Sequence, residues 1–223
     1  MHTNLESLQI SEETILSLHK IMLSETNMPC GVYKEHDNVI METGYDGSRI
    51  VRFAPTPAAE TAETMERLIL AYMAARDDSD ISSLLLIPCF ALDFLCMHPF
   101  SDGNGRISRL LSLLLLHHKG FDVIRYVLFE ALIYYHTRAY YQAVQNSSID
   151  WHAARNNHTP FKQNFLMTLL LSYREFDKHF AAIQSGHVSK SARIEHTVLN
   201  SLLPITKSGI YYIFFPRCQS VDS

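Results

Sequence analysis

The chain has no excess of positive charge. Its 19 Lys and Arg stand against 23 Asp and Glu, a formal net charge of −4, so no global field draws it to nucleic acid, although a local basic site remains open. Cysteine is scarce. Cys30, Cys89, Cys96 and Cys218 show no CxxC spacing, which excludes the common zinc patterns. Cys89 and Cys96 lie among apolar neighbours and read as buried thiols, as suits a reducing, cytoplasmic setting. The opening MHTNLESLQ lacks the basic-then-apolar start of a secretory signal. No apolar run is clean enough for a membrane span: Ile81 to Met97 is interrupted by Pro88 and Asp93 and reads as a buried core helix. Repeats and low-complexity tracts are absent from the sequence. At 223 residues, the length fits one domain, or one with an appendage, with a substantial core.

What is present is mostly helical patterning. Ser11-Glu-Glu-Thr is a helix start, followed by a stripe of Ile15, Leu18, Ile21 and Met22. Val39–Thr43 and Arg49–Phe53 flank Gly44-Tyr-Asp-Gly47 and predict the one β-hairpin. Glu60 to Arg76 is amphipathic, with Met65, Leu68, Ile69 and Met73 inward. Two very apolar helices lie on either side of residues 98–105, and another helical region runs from Gly120 to about Val144. A loop over 146–152 leads to Thr159-Pro160, a cap and first-turn proline for a long helix through Phe180. Trp151 reads as a packing residue, His117-His118 as a helix C-terminus, and Tyr140 and Tyr141 as buried structural tyrosines. A polar linker, 184–189, separates a domain over 1–183 from a tail over 184–223.

The segment MHPFSDGNGRISRLL, Met97 to Leu111, concentrates polar and ionisable groups between the two apolar helices. Pro99 disfavours α geometry at His98, so the first helix ends there. The second resumes near Asn104 or Gly105, placing its unpaired N–H groups and positive dipole end in the loop. Glycines on each side of Asn104 let backbone approach a ligand closely, which makes a phosphate cradle. Arg106 and Arg109, three apart, share one side of the first turn and suit several phosphate groups. Asp102 makes sense beside an anionic ligand if a hard cation such as Mg²⁺ lies between them. His98, at the loop's edge, is placed to take a proton from a nucleophile. Phe100 turns inward and pins the loop.

His98-Pro-Phe-Ser-Asp-Gly-Asn-Gly-Arg-Ile-Ser-Arg109 resembles the signature of Fic-domain proteins, HPFx(D/E)GNGRxxR, at every specified position. The likeness extends over residues 11–183 through LHKIML, the hairpin before FAPTP, and YYQAVQNSSIDWH. It implies an all-α, Fic-type helical bundle with a small β-hairpin flap. It also implies an enzyme that transfers AMP from ATP to a Ser, Thr or Tyr hydroxyl of a target protein. His98 would be the general base and Asp102 the Mg²⁺ ligand. The backbone of Gly103, Asn104 and Gly105 would form the anion hole. Arg106 and Arg109 would bind the outer phosphates, and the hairpin 39–53 would align the target by strand pairing. The related Doc-type phosphotransferases carry AN[KR]R-like centres, so Gly103 and Gly105 favour nucleotidyl transfer.

Many members of the family carry an inhibitory (S/T)xxxE(G/N) helix, and none precedes residue 98. Ser191-Ala-Arg-Ile-Glu195 matches its first five positions, but His196 replaces the last. Lys190–Lys207 better resembles the start of a winged-helix module. That module needs about 60 residues or more, so it is expected to be incomplete, and nucleic acid would be a partner only if it were whole. A homodimer is compatible with this reading, and no membrane partner is expected. The alternatives are an ATP-binding regulator with little transfer activity, or transfer of another phosphate-containing group.

Overall fold

The computed structural model describes residues 8–43 and 47–184. Local signals start the first helix, α1 (Glu12–Leu23). The Ser11 hydroxyl accepts the Thr14 N–H at 3.1 Å, and Glu12 and Glu13 complement the dipole in the first turn. Its buried face is Ile15, His19, Met22 and Leu23. The expected stripe is therefore turned: Ile21 is 51% exposed, Leu18 is half-buried, and a histidine takes an inner position. That histidine can be buried because both ring nitrogens are paired, as described below.

Strands β1 (Ile40–Thr43) and β2 (Arg49–Phe53) form the expected antiparallel hairpin, with Met41 opposite Val51 and Glu42 opposite Ile50. The register shifts between Ile40 and Met41, a bulge that increases local twist. The turn residues 44–46 lie outside the described residues. Beyond a 3₁₀ turn at Ala58–Glu60 comes α2 (Thr61–Arg76). Met65 is buried as expected, Leu68, Ile69 and Met73 are half-buried against the core, and Tyr72 is an unforeseen inner residue.

Helices α3 (Ser83–Met97) and α4 (Asn104–His118) are the apolar pair. The interrupted run from Ile81 is thus a core helix with Pro88 buried inside it, and no helix among the described residues is long and apolar enough to cross a membrane. The pair packs closely, as the Ser108 hydroxyl donates to the Ala91 carbonyl at 3.1 Å. Cys96 is buried, whereas Cys89 is only half-buried, and Cys218 lies outside the described residues. The helical region after Gly120 is three pieces: a 3₁₀ turn at Asp122–Arg125, α5 (Phe129–Tyr135) and α6 (Thr137–Ser148). At the break between α5 and α6, the Thr137 hydroxyl donates back to the Tyr134 carbonyl at 2.5 Å and the Ile133 carbonyl at 3.3 Å, a pattern that bends helices. Helix α6 runs into the expected loop, which shortens to a 3₁₀ turn at Trp151–Ala153. The last helix, α7 (Thr159–Gln184), has Pro160 in its first turn, but Asn157 supplies the cap, accepting the Thr159 N–H at 3.0 Å. Tyr140 is buried, while Tyr141 is 64% exposed, contrary to expectation.

The result is a helical bundle with α3 packed against α2, α4 and α7 and one small hairpin beside it. Phe94, Phe100, Phe129, Ile87, Leu92 and Leu111 fill the centre with essentially no exposure. The loop 98–103 crosses one end of this core, between the C-terminus of α3 and the N-terminus of α4. The expected tail, with Ser191–Glu195, lies outside the described residues.

Candidate active site

His98 closes α3 in the left-handed region, at φ 52° and ψ 59°. Pro99 steers the residue before it toward extended backbone, and a left-handed non-glycine residue costs about 1–2 kcal/mol. The geometry holds because residues 34–38 clasp the carbonyls around it. The Lys34 N–H donates to Pro99 O at 3.0 Å and its ammonium to Met97 O at 3.3 Å and Asn38 Oδ1 at 2.8 Å, while Asn38 Nδ2 donates to Phe100 O at 3.2 Å. Lys34 is only 4% exposed, a cation placed against the C-terminal carbonyls of α3, where it complements the dipole.

His98 Nδ1 lies 3.3 Å from Leu95 O. A carbonyl only accepts, so Nδ1 carries the ring proton and Nε2 is the basic nitrogen. Burial pushes the His98 pKa below its ordinary value and the Lys34 charge pushes the same way, against the Leu95 bond and the Asp102 carboxylate. The imidazole is therefore neutral at pH 7, the state a general base needs.

The loop that follows is fixed from three sides. Phe100 is fully buried and stacks on His19, with ring centroids 3.7 Å apart and planes at 5°. His19 Nδ1 accepts the Gly31 N–H at 2.9 Å, so its Nε2–H donates to Asp102 O at 3.1 Å. Asn104, 2% exposed, closes the loop on itself: Oδ1 accepts the Phe100 N–H at 2.9 Å and Nδ2 donates to Phe100 O at 2.7 Å. Gly103, at φ +81°, lies so close to α1 that a Cβ there would stand 2.6 Å from Met22 Cε. The left-handed backbone is what calls for glycine, since the methyl end of Met22 can move aside.

Helix α4 makes its first i→i−4 bond from Ile107 N to Gly103 O at 2.9 Å. The N–H groups of Asn104, Gly105 and Arg106 thus have no acceptor within the helix and form its anion-attracting end. The Asp102 carboxylate, 53% exposed, accepts the Gly103 N–H at 2.6 Å on Oδ1 and Arg106 Nη2 at 3.2 Å on Oδ2. Arg109 is drawn inward. Its Nε donates to both oxygens of Glu130, at 2.7 and 2.6 Å, and its guanidinium also meets the Tyr140 hydroxyl. Its Nη1 passes over Gly105, 3.2 Å from where a Cβ would be.

The expected site residues, His98, Asp102, Gly103, Asn104, Gly105, Arg106 and Arg109, are thus gathered around one loop and one helix start. Asn104 contributes more than backbone, because its side chain braces the loop. Sequence reasoning did not pick out His19, Lys34 or Glu130. A histidine within the apolar period of α1, and a glutamate inside VLFEALI, were the available signals. Among the described residues, no group of three or more His, Cys, Asp or Glu side chains is arranged to hold a metal. Asp102 alone fits the usual Mg²⁺ arrangement, in which one or two carboxylates share the ion with substrate phosphates.

Residues 9–116 match the sequence model of the Fic/DOC family. Comparison with curated proteins gives no match. Among solved structures, the chain is similar to a Fic domain containing signaling protein from Bacteroides thetaiotaomicron VPI-5482, at 21% identity and a TM-score of 0.57, over 75% of this chain and 63% of that one. It is also similar to a Fic family protein from Desulfovibrio desulfuricans G20, at 22% identity and a TM-score of 0.61, over 84% of this chain and 50% of that one. The chain therefore spans less than two thirds of either protein's length, and at these identities the likeness is one of fold.

Proposed function

Residues 9–116 belong to the Fic/DOC family, and from that premise we propose that the chain is a protein adenylyltransferase, which moves AMP from ATP to a Ser, Thr or Tyr hydroxyl of a target protein. The observation that carries the reading is the pairing of a neutral His98, protonated on Nδ1 and basic at Nε2, with an anion-attracting helix start six residues away. A base for the nucleophile and a cradle for the phosphates then stand at the two ends of one short loop.

In this reading, the N–H groups at the start of α4 hold the phosphate oxygens, and Arg106 and Arg109 take the outer ones. The target hydroxyl gives its proton to His98 Nε2 while its oxygen bonds to the α-phosphorus. The bond from that phosphorus to the bridging oxygen breaks, and pyrophosphate leaves. Positioning and neutralisation of developing charge supply the rate, because every contributing group except the target is held before reaction. Asp102 would hold Mg²⁺, which supplies charge neutralisation at the phosphates when bound. The edges of the hairpin 39–53 would take the target segment as an added strand.

The test is incubation of the purified protein with candidate targets in lysate and with ATP labelled at either the α- or the γ-phosphate. Protein bands labelled only by the α-phosphate support AMP transfer. Labelling by the γ-phosphate, or by neither, would overturn the proposal.

A further inference from the structure

Arg109 is partnered more heavily than a surface phosphate-binding arginine needs to be. Its side chain is 19% exposed and that of Glu130 12%. Tyr140, on the next helix, is 7% exposed, and burial pushes its phenol up to about 12 against the pull of Arg109. Burial also pushes the Glu130 carboxyl up, with Arg109 opposing it. Such a buried ion pair adds little to stability, since desolvation of the two charges offsets their attraction. Its geometry is informative instead. Both carboxylate oxygens lie on the Nε edge, at 2.7 and 2.6 Å, and not on the usual fork of Nε with a terminal nitrogen. The Tyr140 hydroxyl bonds the same guanidinium, and Nη1 passes over Gly105 at the second residue of α4.

We propose that Glu130, through Nε, and Tyr140 are positioning residues that hold the guanidinium of Arg109, so that Nη1 faces the start of α4 and reads the phosphates beyond the α-phosphate of ATP. The inference rests on the adenylyltransferase reading for the identity of the ligand. It adds that discrimination between ATP and AMP is set by α5 and α6 as well as by the loop. Gly105 is then small for a second reason, since a Cβ there would crowd the arginine where it crosses the helix end and push it aside by a few tenths of an ångström.

The test is calorimetric binding of ATP and of AMP, each with Mg²⁺, to wild type, Glu130→Gln and Tyr140→Phe. The Arg109 Nε–H signal is followed in parallel by NMR and assigned by its loss in Arg109→Lys. Glu130→Gln is expected to weaken ATP binding about tenfold, as loss of an oriented charged contact does, and to leave AMP binding within about twofold. Tyr140→Phe shifts the same ratio in the same direction by less. The Nε–H signal is protected from exchange in wild type and exposed in Glu130→Gln. An unchanged ATP-to-AMP ratio in Glu130→Gln, or tighter ATP binding, overturns the positioning role, the latter by making Glu130 a competitor for the arginine. Failure of wild type to bind ATP while the Nε–H stays protected overturns the adenylyltransferase reading and leaves the placement of Arg109 standing. An unprotected Nε–H in wild type overturns the placement itself.

Discussion

Replacing Asn104 by Ala removes two bonds at once, and the structure says what each loss costs. Asn104 is 2% exposed, so water does not take its place. The Phe100 N–H loses the acceptor at 2.9 Å and is left buried and unpaired, at about 1–3 kcal/mol. The Phe100 carbonyl loses the donor at 2.7 Å but keeps Asn38 Nδ2 at 3.2 Å, so only a net bond of about 1 kcal/mol goes. The sum is roughly 2–4 kcal/mol, equivalent to a fall in Tm on the order of 10 °C for a domain of this size. Asn104→Asp keeps an acceptor for the N–H and gains from the helix dipole, yet sets a carboxylate oxygen against the Phe100 carbonyl. It should fall between wild type and Ala. Asn38→Ala removes the second donor and also an acceptor of the buried Lys34 ammonium, so it should cost about 2–4 kcal/mol. Urea unfolding followed by fluorescence of the sole tryptophan, Trp151, reads all three. A loss below about 0.5 kcal/mol in Asn104→Ala, the range of a plain surface change, would mean that the Phe100 N–H has another partner and would refute the account of the loop.

His98→Ala should abolish AMP transfer by about 10²–10⁴ while ATP affinity in calorimetry stays near wild type, because the imidazole acts on the target hydroxyl; labelling near the wild-type rate would remove His98 from the reaction. Asp102→Ala should weaken ATP binding only when Mg²⁺ is present, and Arg106→Ala should weaken it with or without EDTA; equal dependence on the metal in both would end the division of roles between them. Burial holds the His19 pKa below its ordinary 6.5, against the pull of Asp102, so the unfolded chain takes up the proton first as the medium acidifies. The stability His19 contributes is complete above about pH 6.5. It is lost as pH falls from there through the lower folded value. In a His98→Ala background, which removes the other lowered histidine near the loop, the urea midpoint of the His19 protein should fall below pH 6.5 more steeply than that of His19→Gln. Parallel slopes would show that His19 titrates freely in the fold.

The parts of this site legible in the sequence are those fixed by neighbours in the chain. Pro99, the loop glycines and the resumed apolar period from Ile107 define a helix end, a turn and a helix start within a dozen residues, and the structure has them there. Ser11 and the hairpin segments were legible for the same reason. The supports were not, because their partners are distant: 83 residues separate His19 from Asp102, 63 separate Lys34 from Met97, and 21 separate Arg109 from Glu130. In one dimension, Lys34 looks like an ordinary solvated lysine and Glu130 like an ordinary charge near a helix start. Only the packing of α1, α5 and the 34–38 segment around the loop turns them into buried partners. The same logic explains the turned stripe of α1. Periodicity alone prefers Ile21, whereas two hydrogen bonds and a stacked phenylalanine make His19 the better inner residue.

The hairpin is fastened at both feet. On the β1 side, Lys34 and Asn38 hold the carbonyls of residues 97, 99 and 100. On the β2 side, Phe53 stacks on His152 at 5.4 Å, His152 Nε2 bonds Ala54 O at 2.7 Å, and neighbouring Trp151 donates to Asp93 in α3 at 2.8 Å. Asp37 joins the two feet by accepting the Ala58 N–H at 2.7 Å. A strap secured in this way cannot swing open like a hinged lid; it can only bend or twist between its anchors. Tension on it has a defined path: through one foot it loads the backbone on either side of His98, and through the other it reaches the middle of α3, so the helix end that carries His98 and the strap behave as one mechanical frame.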